Sequence, residues 1–262
     1  RPAAPGYIEK DAEAEKKAGE LLNAAVWHLD FQRAPVEVTL AGDLYCASGV
    51  GASAASCVAM ARAVSVHFKM NLTDEQINKC GLEGYKAYAG TPSGIDNTCS
   101  TYGGLIYFRK GQNGAPNTME KLELGKPLHI LMVSTGITTK TEEAVAGLKE
   151  RMKQDPEKFK NIFDEAESIV EKAKDALAKG DAEAVGKLMD RNHELLQASG
   201  VSHEKLDYLV DLCRKNHALG AKMTGGGMGG YMVALFSCPS CREKAIKACE
   251  AEGYKFISAE IG

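Results

Sequence analysis

With 262 residues, 44% of them hydrophobic and 26% charged, the chain is long enough to bury a sizeable core in one large domain or two modest ones. A net charge of −3, with lysines and glutamates interspersed, weighs against a nucleic-acid partner. No apolar run approaches the roughly 20 residues of a membrane helix, and neither end shows a secretory, lipidation or peroxisomal signal, so a cytoplasmic protein with no membrane partner is expected.

Residues 10–33 read as a charged amphipathic helix, with Leu21, Leu22, Ala25 and Val26 on one side. Val36–Leu40 alternates with period two and reads as a strand. A small-residue loop, Gly42–Gly51, leads into an apolar helix over about Ala52–Phe68. Thr73-Asp-Glu-Gln76 has the spacing of a capping box and predicts a second helix to about Tyr88. After a Gly/Pro-rich segment, Gly104–Phe108 reads as a strand, with a partner expected at about Leu128–Ser134. From Thr138 to His217 the pattern is almost wholly helical, broken near Gly180 and Gly200, and Asp155-Pro156 sets a cap before a proline at the first helical position. Strands return at Ala221–Thr224 and Tyr231–Phe236, then a helix near Arg242–Glu252 and a last strand, Tyr254–Glu260. Strand-rich and helix-rich stretches are segregated, which predicts an α+β fold.

The eight cysteines, among them Cys46, Cys57 and Cys80, are scattered, and reduced thiols in a cytosolic enzyme are the expectation. Cys238-Pro-Ser-Cys241 is a lone CxxC with no second pair, and reads as a loop capping the next helix rather than a metal or redox site.

Three segments depart from ordinary structure. Ala47-Ser-Gly-Val-Gly-Ala-Ser-Ala-Ala55 lies between a strand and a helix. Its glycines permit tight turning and close approach, and the free amides of the helix that follows favour an anion such as phosphate. Ser53 places a hydroxyl in the first turn, where it could ligate a nucleotide-bound magnesium, but no Gly-Lys-Ser/Thr follows, so this is not a Walker loop. A plain strand-to-helix turn is the other reading. Gly90-Thr-Pro-Ser-Gly-Ile-Asp-Asn-Thr98 sets Asp96 among hydroxyls in an irregular loop. There it could take a proton from a substrate hydroxyl during phosphoryl transfer, or simply form an Asx turn. Lys222-Met-Thr-Gly-Gly-Gly-Met-Gly-Gly230 has five glycines in six positions, an entropic cost that a simple hairpin does not require.

In order and spacing these segments resemble motifs two and three of the GHMP kinases. Gly49–Ala55 is similar to the family's Gly-Leu-Gly-Ser-Ser-Ala-Ala phosphate loop, and Lys222–Gly230 to its Lys-Leu-Thr-Gly-Ala-Gly-x-Gly-Gly. Gly90–Asn97, followed by Ser100-Thr-Tyr-Gly-Gly104, resembles the branch of the family that phosphorylates mevalonate. The resemblance implies a two-lobed α+β fold, with an N-terminal lobe over residues 1–134 and a helix-rich C-terminal lobe with a sheet over 135–262. It implies transfer of the ATP γ-phosphate to the mevalonate 5-hydroxyl with Mg2+, and leaves a homodimer open. Carried over by position, Gly49, Val50, Gly51, Ala52, Ser53 and Ala54 would wrap the nucleotide phosphates, with Ser53 on the metal. Asp96 would be the catalytic aspartate, and Ser93, Gly94 and Thr141 would meet the substrate. Gly225, Gly226, Gly227 and Gly229 would support the active-site floor. Another GHMP kinase, such as one acting on phosphomevalonate, and a non-catalytic nucleotide-binding relative are the alternatives.

Two departures from the family pattern stand out. No stretch before Val36 resembles the first motif, Pro-Gly-Lys-x-x-Leu-Phe-Gly-Glu-His, so a fragment of a longer product is expected, inactive by itself. The metal-binding glutamate of the family lies eleven residues before the catalytic aspartate, and here that position is Tyr85. Glu83 is two positions away, a rotation of about 200° on a helix. Either a distortion at Gly84 brings it round, or Ser53, the nucleotide and water hold the metal. His67 and His193 read as packing or surface residues, Trp27 as helix packing, and Arg109-Lys110 as a solvated strand end.

Overall fold

The computed structural model describes residues 38–40, 50–89, 91–112, 114–138 and 141–262, with the side chains of 88 and 141–145 set aside. The expected helix over 10–33, the first two residues of the expected strand at 36–40, Trp27, Cys46 and Gly49 lie outside the described residues. Val38–Leu40 carry no regular secondary structure. Two compact units partition the described chain: 38–40, 51–103 and 108–119 in the first, and 50, 104–107 and 120–262 in the second.

The first unit rests on three helices, α1 (Ala52–His67), α2 (Asp74–Ala89) and α3 (Ile95–Tyr102). Small residues dominate α1, and Ala54, Cys57, Val58, Met60, Ala61 and Val64 are buried. The capping box at the start of α2 forms as its spacing predicts: the Gln76 amide donates to Thr73 Oγ1 (3.3 Å) and the Thr73 amide to Gln76 Oε1 (2.9 Å). Gly81 then lets α2 close on α1, since a Cβ there would sit 2.6 Å from Val58 Cγ2. Val58, Ala61, Ile77 and Cys80 make the core between them. Arg62 fastens α3 from α1, donating to the Thr101 carbonyl (2.7 Å).

The chain leaves this unit through a two-stranded ribbon, β1 (Ile106–Arg109) and β2 (Thr118–Lys121). This corrects one sequence expectation. The strand after Gly104 pairs with β2, whereas β3 (Leu128–Ser134) is an inner strand of a four-stranded sheet in the second unit.

That sheet is antiparallel in the order β4 (Gly220–Met223), β5 (Tyr231–Phe236), β3, β6 (Phe256–Ile261). Four helices accompany β3 to β4: α4 (Thr141–Gln154), α5 (Pro156–Lys179), α6 (Ala182–Ala198) and α7 (Glu204–Lys215); α8 (Pro239–Ala251) joins β5 to β6. Asp155 caps α5 through the Lys158 amide (3.1 Å) ahead of Pro156.

Alternation along β5 sends its side chains to two cores. Met232, Ala234 and Phe236 join Leu206, Leu209, Val210 and Cys213 of α7 and Ala245, Ile246 and Cys249 of α8. Leu235 faces the other way, onto Ala176 of α5 and Val185 of α6. The second unit is therefore a sheet with helices on both faces, and the protein is α+β. No helix among the described residues is long and apolar enough to cross a membrane.

Candidate active site

Gly51 precedes α1 with φ 73°, ψ 16°, a left-handed conformation that turns the chain directly into the helix. No side chain caps this end and no acidic residue occupies its first turn. The first intrahelical bond at this end runs from the Ala55 amide to the Gly51 carbonyl (2.9 Å), so the amides of Ala52, Ser53 and Ala54 remain directed out of the helix. Such an end is suited to receive an anion, and the Ser53 hydroxyl lies in its first turn.

The segment read from sequence as an irregular loop at 90–98 in fact turns into α3 at Ile95, with Gly94 as N-cap at φ 94°. Asp96 thus lies in a first helical turn. A Cβ on Gly51 would be 3.8 Å from Asp96 Cβ and 4.0 Å from its Oδ1, so one carboxylate oxygen faces the start of α1. The other, Oδ2, accepts a hydrogen bond from Tyr85 Oη at 2.9 Å. Burial, followed by the adjacent Asp96, pushes the Tyr85 phenol well above its ordinary value, so it remains protonated and acts as the donor.

Around Asp96 the backbone is braced. Thr98 Oγ1 donates to the Gly94 carbonyl (2.6 Å), and Asn78 of α2 donates to Thr98 Oγ1 (3.3 Å). Asn97 Nδ2 donates to Asn78 Oδ1 (2.5 Å). Asn117 donates to the Ser93 carbonyl (3.0 Å) and accepts from the Gly111 amide (2.9 Å), holding the turn that carries Ser93 and Gly94. The structure thus brings together Gly51, Ser53, Tyr85, Ser93, Gly94 and Asp96 within the first unit.

The Tyr85 contact was the functional feature that sequence reasoning passed over. Its eleven-residue spacing from Asp96 marked the position, but as a missing carboxylate rather than a phenol donor. No distortion at Gly84 turns Glu83 toward Asp96. The α2 helix runs unbroken past Gly84, and both Glu83 oxygens accept from Lys86 Nζ (2.7 and 2.9 Å). Among the described residues no three His, Cys, Asp or Glu side chains cluster as a metal site. A magnesium ion that keeps part of its water shell would need few protein oxygens, and the Ser53 hydroxyl fits that demand.

The remaining predicted residues lie in the second unit. Gly225, Gly227, Gly229 and Gly230 all have positive φ, as does Met228 at φ 58°. At Gly227 a Cβ would overlap the Val201 carbonyl oxygen, and the Met228 amide donates to that same oxygen at 2.8 Å. The loop is tied to the end of β3: Thr135 donates to the Gly230 carbonyl through both amide and hydroxyl (2.9 Å each), and the Gly230 amide donates to Ile137 (2.9 Å). Gly226 lies within this loop, and Thr141 opens α4 four residues after Ile137. His193 is buried rather than at the surface, with Nδ1 accepting from the Met223 amide (3.3 Å). Burial holds its imidazole below the ordinary 6.5.

Comparison with known proteins agrees with these motifs. The GHMP kinases N-terminal domain matches residues 17–104, and the GHMP kinases C-terminal domain matches 173–255. A mevalonate kinase of Pyrococcus furiosus is 36% identical over 97% of this chain and 76% of its own length. One from Arabidopsis thaliana is 31% identical over 87% of this chain and 64% of its own. Among solved structures, L. major mevalonate kinase in complex with R-mevalonate superposes with a TM-score of 0.86 at 36% identity, covering all of this chain and 80% of that one. The chain belongs to the GHMP kinase family.

Proposed function

We propose that the protein carrying this chain is a mevalonate kinase, which transfers the γ-phosphate of ATP to the 5-hydroxyl of mevalonate. The observation that carries this reading is the Asp96 carboxylate held between Tyr85 Oη and the start of α1. The mevalonate kinases among its relatives support the choice of acceptor.

On this reading the amides of Ala52–Ala54 receive the nucleotide phosphates, and the helix dipole favours their charge. Asp96 faces that end and accepts the proton of the attacking hydroxyl. The new bond forms between the mevalonate oxygen and the γ-phosphorus, the bridging bond to the β-phosphate breaks, and ADP leaves. Most of the catalysis is positioning and electrostatic stabilisation of the moving phosphoryl group. Ser53 would meet a magnesium ion carried by the nucleotide; when bound, that ion offsets phosphate charge. Ser93 and Gly94 are assigned to the acceptor. The roles of Thr141 and of Gly225, Gly226, Gly227 and Gly229 rest on motif likeness.

ADP formation with mevalonate, measured for the wild type and for Asp96→Asn, tests the reading. Loss of a general base should lower turnover by about 10²–10⁴-fold, while nucleotide binding, followed separately by calorimetry, persists. Turnover that survives the substitution would remove Asp96 from the chemistry. A wild-type protein that binds ATP but phosphorylates a different small alcohol would overturn the choice of acceptor.

A further inference from the structure

We infer that Cys238 and Cys241 form a reversible dithiol–disulfide site that exchanges with small-molecule disulfides. The inference is independent of the kinase reading. Sequence spacing suggests only a helix cap, and Cys238 is indeed the N-cap of α8, in extended conformation (φ −160°, ψ 161°), with Pro239 fixing the first helical residue. The cap, however, is a sulfur atom. Cys238 Sγ accepts from the Cys241 amide at 3.4 Å, and it hydrogen-bonds Cys241 Sγ with the two sulfurs 2.9 Å apart. Ser240 Oγ lies 3.1 Å from the same sulfur.

This pair differs chemically from the buried thiols. Both cysteines are half-buried, open enough for a small reagent, whereas Cys57, Cys80, Cys213 and Cys249 are buried. The first turn of α8 has no acidic side chain to oppose a thiolate. The Cys241 thiol, then the Ser240 hydroxyl and the Cys241 amide, pull the Cys238 thiol down to about 6, so much of it is thiolate at neutral pH. Closing the pair requires under 1 Å of approach to a bond of about 2.05 Å. Among the described residues no third His, Cys, Asp or Glu completes a metal site with them, and structural zinc takes four ligands.

The exchange balances in two steps. The Cys238 thiolate attacks one sulfur of an organic disulfide, forming a mixed disulfide and releasing one thiolate. Cys241 then loses its proton and attacks Cys238 Sγ, closing the protein disulfide and releasing the second thiol. The dithiol gives up two electrons and two protons, and the small disulfide takes them up. The pair follows β5 at the end opposite the glycine loop, a separation of about 20 Å along the six-residue strand at ~3.3 Å per residue. Substitution there leaves the proposed kinase residues untouched.

The test is equilibration of the protein with graded ratios of oxidised to reduced glutathione, read on the tryptic peptide Met223–Arg242, which carries both cysteines. The expected result is a form of that peptide two hydrogens lighter, restored by dithiothreitol, and an alkylation rate at Cys238 that rises with a midpoint near pH 6. Cys241→Ser should trap glutathione on Cys238, and Cys238→Ser should take up adduct at Cys241 at least about 10-fold more slowly, as expected when Cys238 is the attacking thiol. The inference is overturned if the peptide stays a dithiol at ratios where the exposed Cys99 is already glutathionylated. Equal adduct rates in the two variants would overturn it too, as would stoichiometric zinc that blocks alkylation of the pair.

Discussion

Replacing Tyr85 with phenylalanine removes one oxygen from the candidate site and little else. The phenol donates to Asp96 Oδ2 at 2.9 Å, and the substitution keeps the ring. Hydrogen bonds to charged groups contribute about 1.5–3 kcal/mol in mutational series. Tyr85 is only half-buried and water can replace part of the interaction, so the lower end applies here. If the bond serves to aim the carboxylate at the acceptor hydroxyl, that energy appears in the transition state, and about 1.4 kcal/mol corresponds to roughly 10-fold in turnover. The expected outcome for Tyr85→Phe is a fall in kcat of about that size, with KM for mevalonate and ATP nearly unchanged and a melting temperature close to wild type. Steady-state kinetics at saturating magnesium, together with a thermal melt, would check it. An unchanged kcat, or a loss confined to KM, would refute the claim that Tyr85 orients Asp96. Tyr85→Glu is the complementary variant: it restores a carboxylate and should steepen the dependence on magnesium. Unaltered magnesium dependence would mean the position no longer faces the metal.

Gly81→Ala should displace α2 from α1, because its Cβ would meet Val58 Cγ2 at 2.6 Å; a loss of about 1–3 kcal/mol is expected from overpacking, and Val58→Ala in the same chain should recover part of it in a denaturant melt. Gly227→Ala combines a left-handed φ of 82° with overlap on the Val201 carbonyl, and should cost at least about 2 kcal/mol; a wild-type melting temperature would show that the loop relaxes freely. For His193, burial lowers the folded value below 6.5, so as pH falls the unfolded chain takes up this proton first. The stability it contributes is present above pH 6.5 and is lost as pH falls from there toward the folded value. Desolvation is reinforced by Arg214 and Lys222 and opposed by Asp207. His193→Asn keeps an acceptor for the Met223 amide without the titration, and should flatten the decline in melting temperature below pH 6.5; identical pH profiles would assign the decline to other groups.

Local sequence located most helices and strands closely. The apolar pattern of 52–68, the capping box at Thr73 and Gln76, the Asp155-Pro156 start and the strand Tyr231–Phe236 each fall within a few residues of the observed elements, because their signals lie within one or two turns of chain. The short helix α3 escaped: its eight residues follow proline and glycine, and it is built largely from polar residues whose side chains bond back to their own backbone, as Thr98 and Thr101 do. The partner of β3 escaped as well. A strand's alternation says which side chains share a face, not which distant strand will accept its hydrogen bonds, and β3 lies between β5 and β6, which come about 100 residues further along the chain.

The chemistry divides along the same line. The glycine-rich turns, Ser53 and Asp96 stand out in the sequence by residue type and interval, whereas the CxxC spacing reads there only as a helix cap. Tertiary structure alone showed that Tyr85 donates to Asp96, a bond made only once Gly81 lets α2 settle on α1 and α3 carries Asp96 to meet it. It also showed that Cys238 caps α8 with its sulfur against Cys241. Spacing along a chain specifies which groups are available; the direction each group faces, and so whether a tyrosine is a lost ligand or a donor, depends on packing between segments remote in sequence.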